Sequence, residues 1–130
     1  MIVDSSAVIA ILKREPDAEL YLGAIEEAVE LSMSIANYVE SGIKIDADRN
    51  PANSRRLDDL VRFAEIQLRP VTVEQGRIAR EAYRDFGKGS GHKAQLNFGD
   101  CFAYALAKET GEPLLFKGND FTHTDVGRAT

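Results

Sequence analysis

The sequence predicts a single α/β sandwich domain over residues 1–130, in which a short central parallel sheet is flanked by helices. Three observations predict this fold class. Segments of strand character alternate with segments of helical periodicity along the chain, and no internal repeat is present. The first strand, Ile2 and Val3, is apolar without alternation, which is typical of a strand buried on both faces. Hydrophobic residues make up 44% of the chain, enough for a proper core.

The first strand leads directly into a helix in the stretch MIVDSSAVIAIL. Ser5 and Ser6 are residue types that begin helices, because a side-chain oxygen accepts a hydrogen bond from a free backbone N–H group. Asp4 leaves the strand at its carboxyl end, where ligands bind in open parallel sheets. Asp4 is therefore either a helix cap or a site residue.

The middle of the chain alternates helices, with apolar residues every three or four positions, and short strands. The predicted helices cover residues 18–28, 35–48, 52–66 and 73–86. The predicted strands cover residues 31–34 and 67–73, and Pro70 places the second strand at a sheet edge or a strand end. Thr72 and Gln75 predict a capping box for the helix that follows.

Glu40 lies at the edge of an apolar helix face. That face is predicted to comprise Ile35, Ala36, Val39, Ile43 and Ala47. A carboxylate at such a position is costly unless it is paired, hydrogen-bonded or bound to a metal. The alternative is a side chain that leans out to solvent and pairs with Lys44.

The last helix covers residues 97–110 and is apolar almost all round, which predicts that it is buried. Asp100 lies in its first turn, where the helix dipole favours an anion. Cys101 is expected to be a structural thiol, and Tyr104, like Tyr83 on the preceding helix, to face the core. Residues 113–116 form the last strand.

Charge and composition restrict the function classes. The net charge of −5 argues against simple coating of nucleic acid by a basic protein, although residues 52–93 hold nine basic and six acidic side chains. The basic stripe, defined as Arg77, Arg80, Arg84 and Lys88, is either a grip on a polyanion or a solvated helix face. A single cysteine, no membrane-spanning apolar run and no basic leader segment favour a cytoplasmic protein.

Carboxylates from distant segments are expected to converge. Asp4 leaves the first strand, Asp100 opens the helix before the last strand, and Asn119 and Asp120 follow the last strand, while Glu40 comes from a helix that can pack over the same edge. Gathered carboxylates repel one another, so ionising all of them requires a cation. Oxygen ligands without a histidine or cysteine cluster favour Mg²⁺, or Mn²⁺, and such a site performs phosphoryl chemistry.

The whole pattern resembles the PIN-domain nucleases, and closely the VapC toxins of toxin–antitoxin pairs. The resemblance rests on MIVDSSAVIAIL, on SIANYVESGI around Glu40, and above all on NFGDCFAYALAKETGEPLLFKGNDF. It implies a PIN-like α/β/α sandwich and a Mg²⁺-dependent endoribonuclease that hydrolyses RNA with metal-activated water. It also implies a cognate antitoxin partner, a homodimer, and a heterotetramer or larger assembly with the antitoxin. The helices at 18–28 and 52–66 are candidate contact surfaces.

The same resemblance assigns the site residues. Asp4 and Asp100 match the principal metal ligands, and Glu40 matches a further acid that completes the site. Asp120 is the favoured fourth acid, because Asn119 stands where relatives often carry an acid, with Asp125 as another possible helper. One alternative is an inert PIN-like module that binds RNA or protein without cutting. A phosphorelay receiver domain is disfavoured, since the first strand offers one acid instead of an acidic pair.

Overall fold

Four short parallel strands and six helices make up the chain, and the computed structural model describes every residue from Met1 to Thr130. The strands are β1 (Ile2–Val3), β2 (Ser32–Ser34), β3 (Gln67–Arg69) and β4 (Leu114–Leu115). The helices are α1 (Ser5–Leu12), α2 (Ala18–Glu27), α3 (Ile35–Asp46), α4 (Pro51–Phe63), α5 (Val73–Phe86) and α6 (Phe98–Thr110). None of the helices has the length and apolar character needed to cross a bilayer.

The strand order is β3-β2-β1-β4, which places β1 inside the sheet and β3 at an edge, as Pro70 predicts. Ile2 pairs with Leu114 and Val3 with Leu115 in parallel register. The chain moves from β1 outward to β3 and then crosses to the other side of β1 to form β4. The order therefore reverses between β1 and β4, which is the place where open α/β sheets bind ligands.

The core is divided by the sheet into two layers. Ile2 and Leu114 belong to a cluster with buried residues of α5 and α6, whereas Val3 and Leu115 belong to a cluster with α1, α2 and α4. Neighbouring residues of one strand point to opposite faces of a sheet. Two-residue strands thus anchor both helix layers, and the expected sandwich is confirmed.

Two predicted helix starts differ in detail. Asp4 itself caps α1, with its side chain accepting from Ser6 N, so the prediction that the serines cap this helix is wrong. Thr72 caps α5 as predicted and accepts from Gln75 N at 3.1 Å. The Gln75 side chain instead donates to Glu109 at 3.0 Å, so the capping box is only half made.

The predicted apolar face of α3 is wrong. Val39 and Ile43 are 51% and 68% exposed, whereas the buried residues of α3 are Asn37, Ser41 and Ile45. The site described below explains this rotation, because polar groups occupy the inner side of the helix. Tyr83 also lies outside the core at 45% exposure, while Tyr104 and Cys101 are buried as expected.

Gly111 ends α6 in the left-handed conformation, with φ at 72°, and a Cβ built there contacts nothing within 4 Å. Gly111→Ala should therefore lower the free energy of unfolding by about 1 kcal/mol through backbone strain alone. Gly23→Ala is the matched control, since Gly23 lies inside α2 with equally open space. This control should stabilise by up to about 1 kcal/mol in urea unfolding. Equal effects of the two substitutions would contradict the assigned backbone conformation.

Candidate active site

Asp4 and Asp100 lie together at the reversal point of the sheet. Asp4 is the residue after β1 and is 1% exposed, and Asp100 lies in the first turn of α6 and is 7% exposed. The charges of Asp4, Asp120 and Glu40 all raise the pKa of Asp100. The other three acids that the sequence predicts to converge are therefore near enough to act on Asp100.

Asp4 uses its two oxygens differently. Its Oδ2 accepts from Ser6 N at 2.9 Å and from Ser6 Oγ at 2.5 Å, while its Oδ1 is buried without a hydrogen-bond partner. Burial raises the pKa of Asp4 to about 6 despite the Ser6 hydrogen bonds, and repulsion from Glu40 adds to the effect. The free oxygen is the one available to a ligand.

Asp100 shows the same division. Its Oδ2 accepts from Asn97 N at 2.9 Å, and Asn97 Oδ1 accepts from Asp100 N at 2.8 Å, which forms a capping box at the start of α6. Burial is the main cause that raises the pKa of Asp100 to about 7, against the lowering effect of the Asn97 hydrogen bond. Asp100 therefore takes part in the helix cap through Oδ2, while its Oδ1 makes no hydrogen bond within the protein.

Glu40 turns inward from α3. Its Oε1 accepts from Ser5 Oγ and from Asn37 Nδ2, the latter at 3.3 Å, and its carboxylate packs against Gly99. Glu40 makes no ion pair with Lys44, so the solvent-facing alternative is wrong. Sequence reasoning did not identify Ser5, Asn37 and Gly99 as residues that contact Glu40. Asn37 lies one helical turn before Glu40, and this spacing was a signal that could have identified it.

The chemistry of these carboxylates is compatible with a divalent cation. A buried carboxylate oxygen without a partner, beside a second acid whose pKa is raised, is the arrangement that a cation stabilises. No group of three or more acidic, histidine or cysteine side chains that could hold a metal ion is present in the chain. Mg²⁺ keeps several waters and needs only one or two carboxylates, so a pair of acids such as Asp4 and Asp100 is compatible with this ion.

The segment after β4 is tied to the site by Lys117. Its backbone N donates to Ser6 Oγ at 3.0 Å, and its ammonium pairs with Asp17 at 2.9 Å and with Glu15. Asp120 follows in this segment and is partly buried, while Asn119 is exposed.

Asp125 is engaged elsewhere. It accepts from Tyr104 OH at 2.6 Å and from Lys108 Nζ at 2.7 Å. The charge of Asp120, in contrast, raises the pKa of Asp100. Asp125 therefore has partners away from Asp100, and Asp120 lies near enough to act on Asp100.

The basic stripe lies on the outer side of α5, with Arg77, Arg80 and Arg84 bordering a shallow depression together with Tyr83. Helices α5 and α6 run antiparallel, because Gln75 contacts Glu109 while Gly87 pairs with Leu96. The Lys88 end of the stripe is thus the end nearer the start of α6. Arg84 pairs with Asp85 at 2.9 Å and Arg77 with Glu74 at 3.7 Å, which reduces the net positive charge.

Comparison with known proteins gives consistent matches over nearly the full chain. The PIN domain family matches residues 1–127. A VapC ribonuclease of Mycobacterium bovis and ribonuclease VapC28 of Mycobacterium tuberculosis are each 57% identical over 129 residues, covering 99% of this chain and 97% of theirs. Ribonuclease VapC42 of Mycobacterium tuberculosis is 48% identical over 126 residues, covering 97% of this chain and 96% of its own.

Two solved structures share the fold at low sequence identity. Mycobacterium tuberculosis VapC20, described as a Sarcin-Ricin loop cleaving toxin, aligns with a TM-score of 0.74 and 13% identity, covering 96% of this chain and 95% of its own. A toxin–antitoxin complex from Klebsiella pneumoniae aligns with a TM-score of 0.72 and 11% identity, covering 95% of this chain and 92% of its own.

The raised pKa values of Asp4 and Asp100 predict how stability depends on pH. Between about pH 4 and pH 7 the folded protein binds more protons than the unfolded chain, so stability falls as pH rises through this window. The loss should be on the order of 3 kcal/mol for Asp4 alone. Urea unfolding in EDTA across this range measures it.

The matched variant for this measurement is Asp4→Asn, which removes one of the two charges. It should flatten the pH dependence and leave the metal-free protein more stable than the parent at about pH 8. Stability that instead increased from about pH 5 to pH 8 in both proteins would contradict the crowded-acid description.

Proposed function

The chain belongs to the PIN-domain family, in its VapC ribonuclease group, and on this premise we propose that it is a Mg²⁺-dependent endoribonuclease toxin. The observation that carries the proposal is the pair Asp4 and Asp100, each with one oxygen held in a helix cap and one left free. Names of relatives with 57% identity support the ribonuclease activity. The inert-module alternative leaves this pair of repelling buried acids without a purpose.

Asp4 and Asp100 would hold the cation, with Mn²⁺ as a possible substitute for Mg²⁺ because both accept oxygen ligands. When bound, the ion supplies activation of water and stabilisation of negative charge on the phosphate. Glu40, whose Oε2 is free of hydrogen bonds from the protein, is proposed to orient a water molecule or accept its proton. Asp120 adds negative charge on the side of Asp100.

The basic stripe is proposed to bind the RNA backbone. Its four side chains are exposed and spaced three or four residues apart along one side of α5 and just beyond it. Contacts of this kind give affinity without sequence preference, and each phosphate contact adds to the salt dependence of binding.

A cognate antitoxin is the proposed protein partner. The support is a neighbour solved as a toxin–antitoxin complex, together with relatives named VapC. A homodimer that assembles with the antitoxin into a heterotetramer or larger complex is the proposed quaternary state.

Metal removal and acid substitution test the activity. Purified protein free of antitoxin should cleave RNA in Mg²⁺, and EDTA should abolish the cleavage until Mg²⁺ is restored. Asp4→Asn and Asp100→Asn should each lower the cleavage rate at least about a hundredfold, since several kcal/mol of charge stabilisation depend on the ion. Initial rates on a labelled RNA measure the effect.

The control for these variants is Asp59→Asn, which removes a partly exposed acid of α4 that pairs only with Arg62. Its rate should match that of the parent. If the parent binds RNA but does not cleave it under any divalent ion, the inert-module alternative holds instead.

Neutralising part of the basic stripe tests RNA binding. In the inactive Asp4→Asn background, Arg77→Gln with Arg80→Gln should weaken binding and reduce the slope of log K against log salt by about 1 to 2. Arg55→Gln with Arg62→Gln removes equal charge from exposed positions of α4 and should leave the slope unchanged. A slope equal in all three proteins would exclude α5 as the RNA-binding surface.

A further inference from the structure

The inner side of α3 is polar where a core helix is ordinarily apolar. Asn37 and Ser41 are both fully buried. Ser41 Oγ donates to Asn37 O at 2.8 Å within the helix, so Ser41 is satisfied locally. Asn37 extends across to another helix and requires a separate explanation, because burying an amide is costly unless its hydrogen bonds are made, and its Oδ1 is buried without a partner.

Asn37 joins α3 to the start of α6. Its Nδ2 donates to Gly99 O at 2.9 Å and to Glu40 Oε1 at 3.3 Å. One amide group therefore contacts both the carboxylate of Glu40 and the helical turn that carries Asp100. Ser5 Oγ donates to the same Oε1 from the residue that follows Asp4.

Gly99 provides the space that Glu40 fills. A Cβ built on Gly99 would lie 1.9 Å from Glu40 Oε2 and 2.5 Å from its Cδ. Its φ is not positive, so the backbone conformation does not require glycine. What requires glycine at this position is the carboxylate that lies against it.

We propose that Asn37 and Gly99 are positioning residues that fix the Glu40 carboxylate against the first turn of α6, beside Asp100. This inference rests on the proposed nuclease function for its catalytic consequence. A glutamate on a helix surface samples several rotamers, and its ordering carries an entropic cost. Here two donors on Oε1 and an open space at Gly99 select one rotamer, with Oε2 left for water or substrate.

The first test is Gly99→Ala, which adds the clashing Cβ and forces the flexible Glu40 side chain away. The catalytic constant kcat should fall at least about tenfold while KM stays within about twofold, because a misplaced group acts on the chemical step. Gly42→Ala is the control on the same helix as Glu40, since its Cβ would lie 3.8 Å from Leu57 Cδ2 in ordinary contact. An unchanged kcat in Gly99→Ala overturns the proposal.

A double-mutant cycle separates positioning from a general structural role. In the Glu40→Ala background, adding Gly99→Ala should cause no further fall in kcat, because the group being positioned is already absent. Asn37→Leu, close in volume but without a donor, should behave in the same way. A further loss of several-fold in that background would show that these residues act independently of Glu40, which overturns the proposal.

The same double-mutant cycle can be measured by thermal unfolding, without RNA or metal. Gly99→Ala should raise Tm, or lower it less, in the Glu40→Ala background than in the parent, because alanine then keeps its helix propensity without displacing a hydrogen-bonded carboxylate. An equal shift in both backgrounds overturns the contact itself. This measurement stands even if the parent fails to cleave RNA, so a failure of the proposed function is distinguished from a failure of the positioning proposal.

Discussion

The structure depends on two buried aspartates that each belong both to a helix start and to the candidate site. Asp4 caps α1, and Asp100 completes the capping box that Asn97 begins at the start of α6; each aspartate uses Oδ2 for this. The free backbone N–H groups of a helix start attract an anion, which offsets part of the cost of burying a carboxylate. The cap also fixes the side-chain rotamer, so the second oxygen of each residue has a defined position before any ligand is bound.

Burial of these two carboxylates lowers the stability of the folded protein. The hydrogen bonds from Ser6 and Asn97 act to lower the pKa values of Asp4 and Asp100. Burial outweighs them, so these pKa values are raised to about 6 and 7. An asparagine at position 4 would cap α1 as well and carry no charge. The carboxylates thus contribute a cost to the metal-free fold that a cap alone does not explain, in line with the general conflict between stability and site function.

Much of the fold and of the acid pair was predictable from the sequence, because local rules determine them. Strand ends meet at one edge of a parallel sheet, so the places of Asp4 and Asp120 follow from the order of elements. Glu40 was placed near the site, but the inner face of α3 was assigned wrongly. Helical periodicity treats an inward polar residue such as Asn37 as a surface residue. Its contact with Gly99, 62 positions away in sequence, leaves no local signal.

The error on α3 and the exposed apolar surface beside the site have a single cause. A helix has only one inner side, and here Asn37 and Ser41 occupy it together with Ile45. Val39 and Ile43 are consequently turned outward, where they border an apolar groove with Phe98, which is 77% exposed. Glu40 lies on the boundary between the two sides, since it lines this groove and also accepts hydrogen bonds from the interior. The polar site therefore determines which way α3 is rotated, and the apolar groove on the surface follows from that rotation.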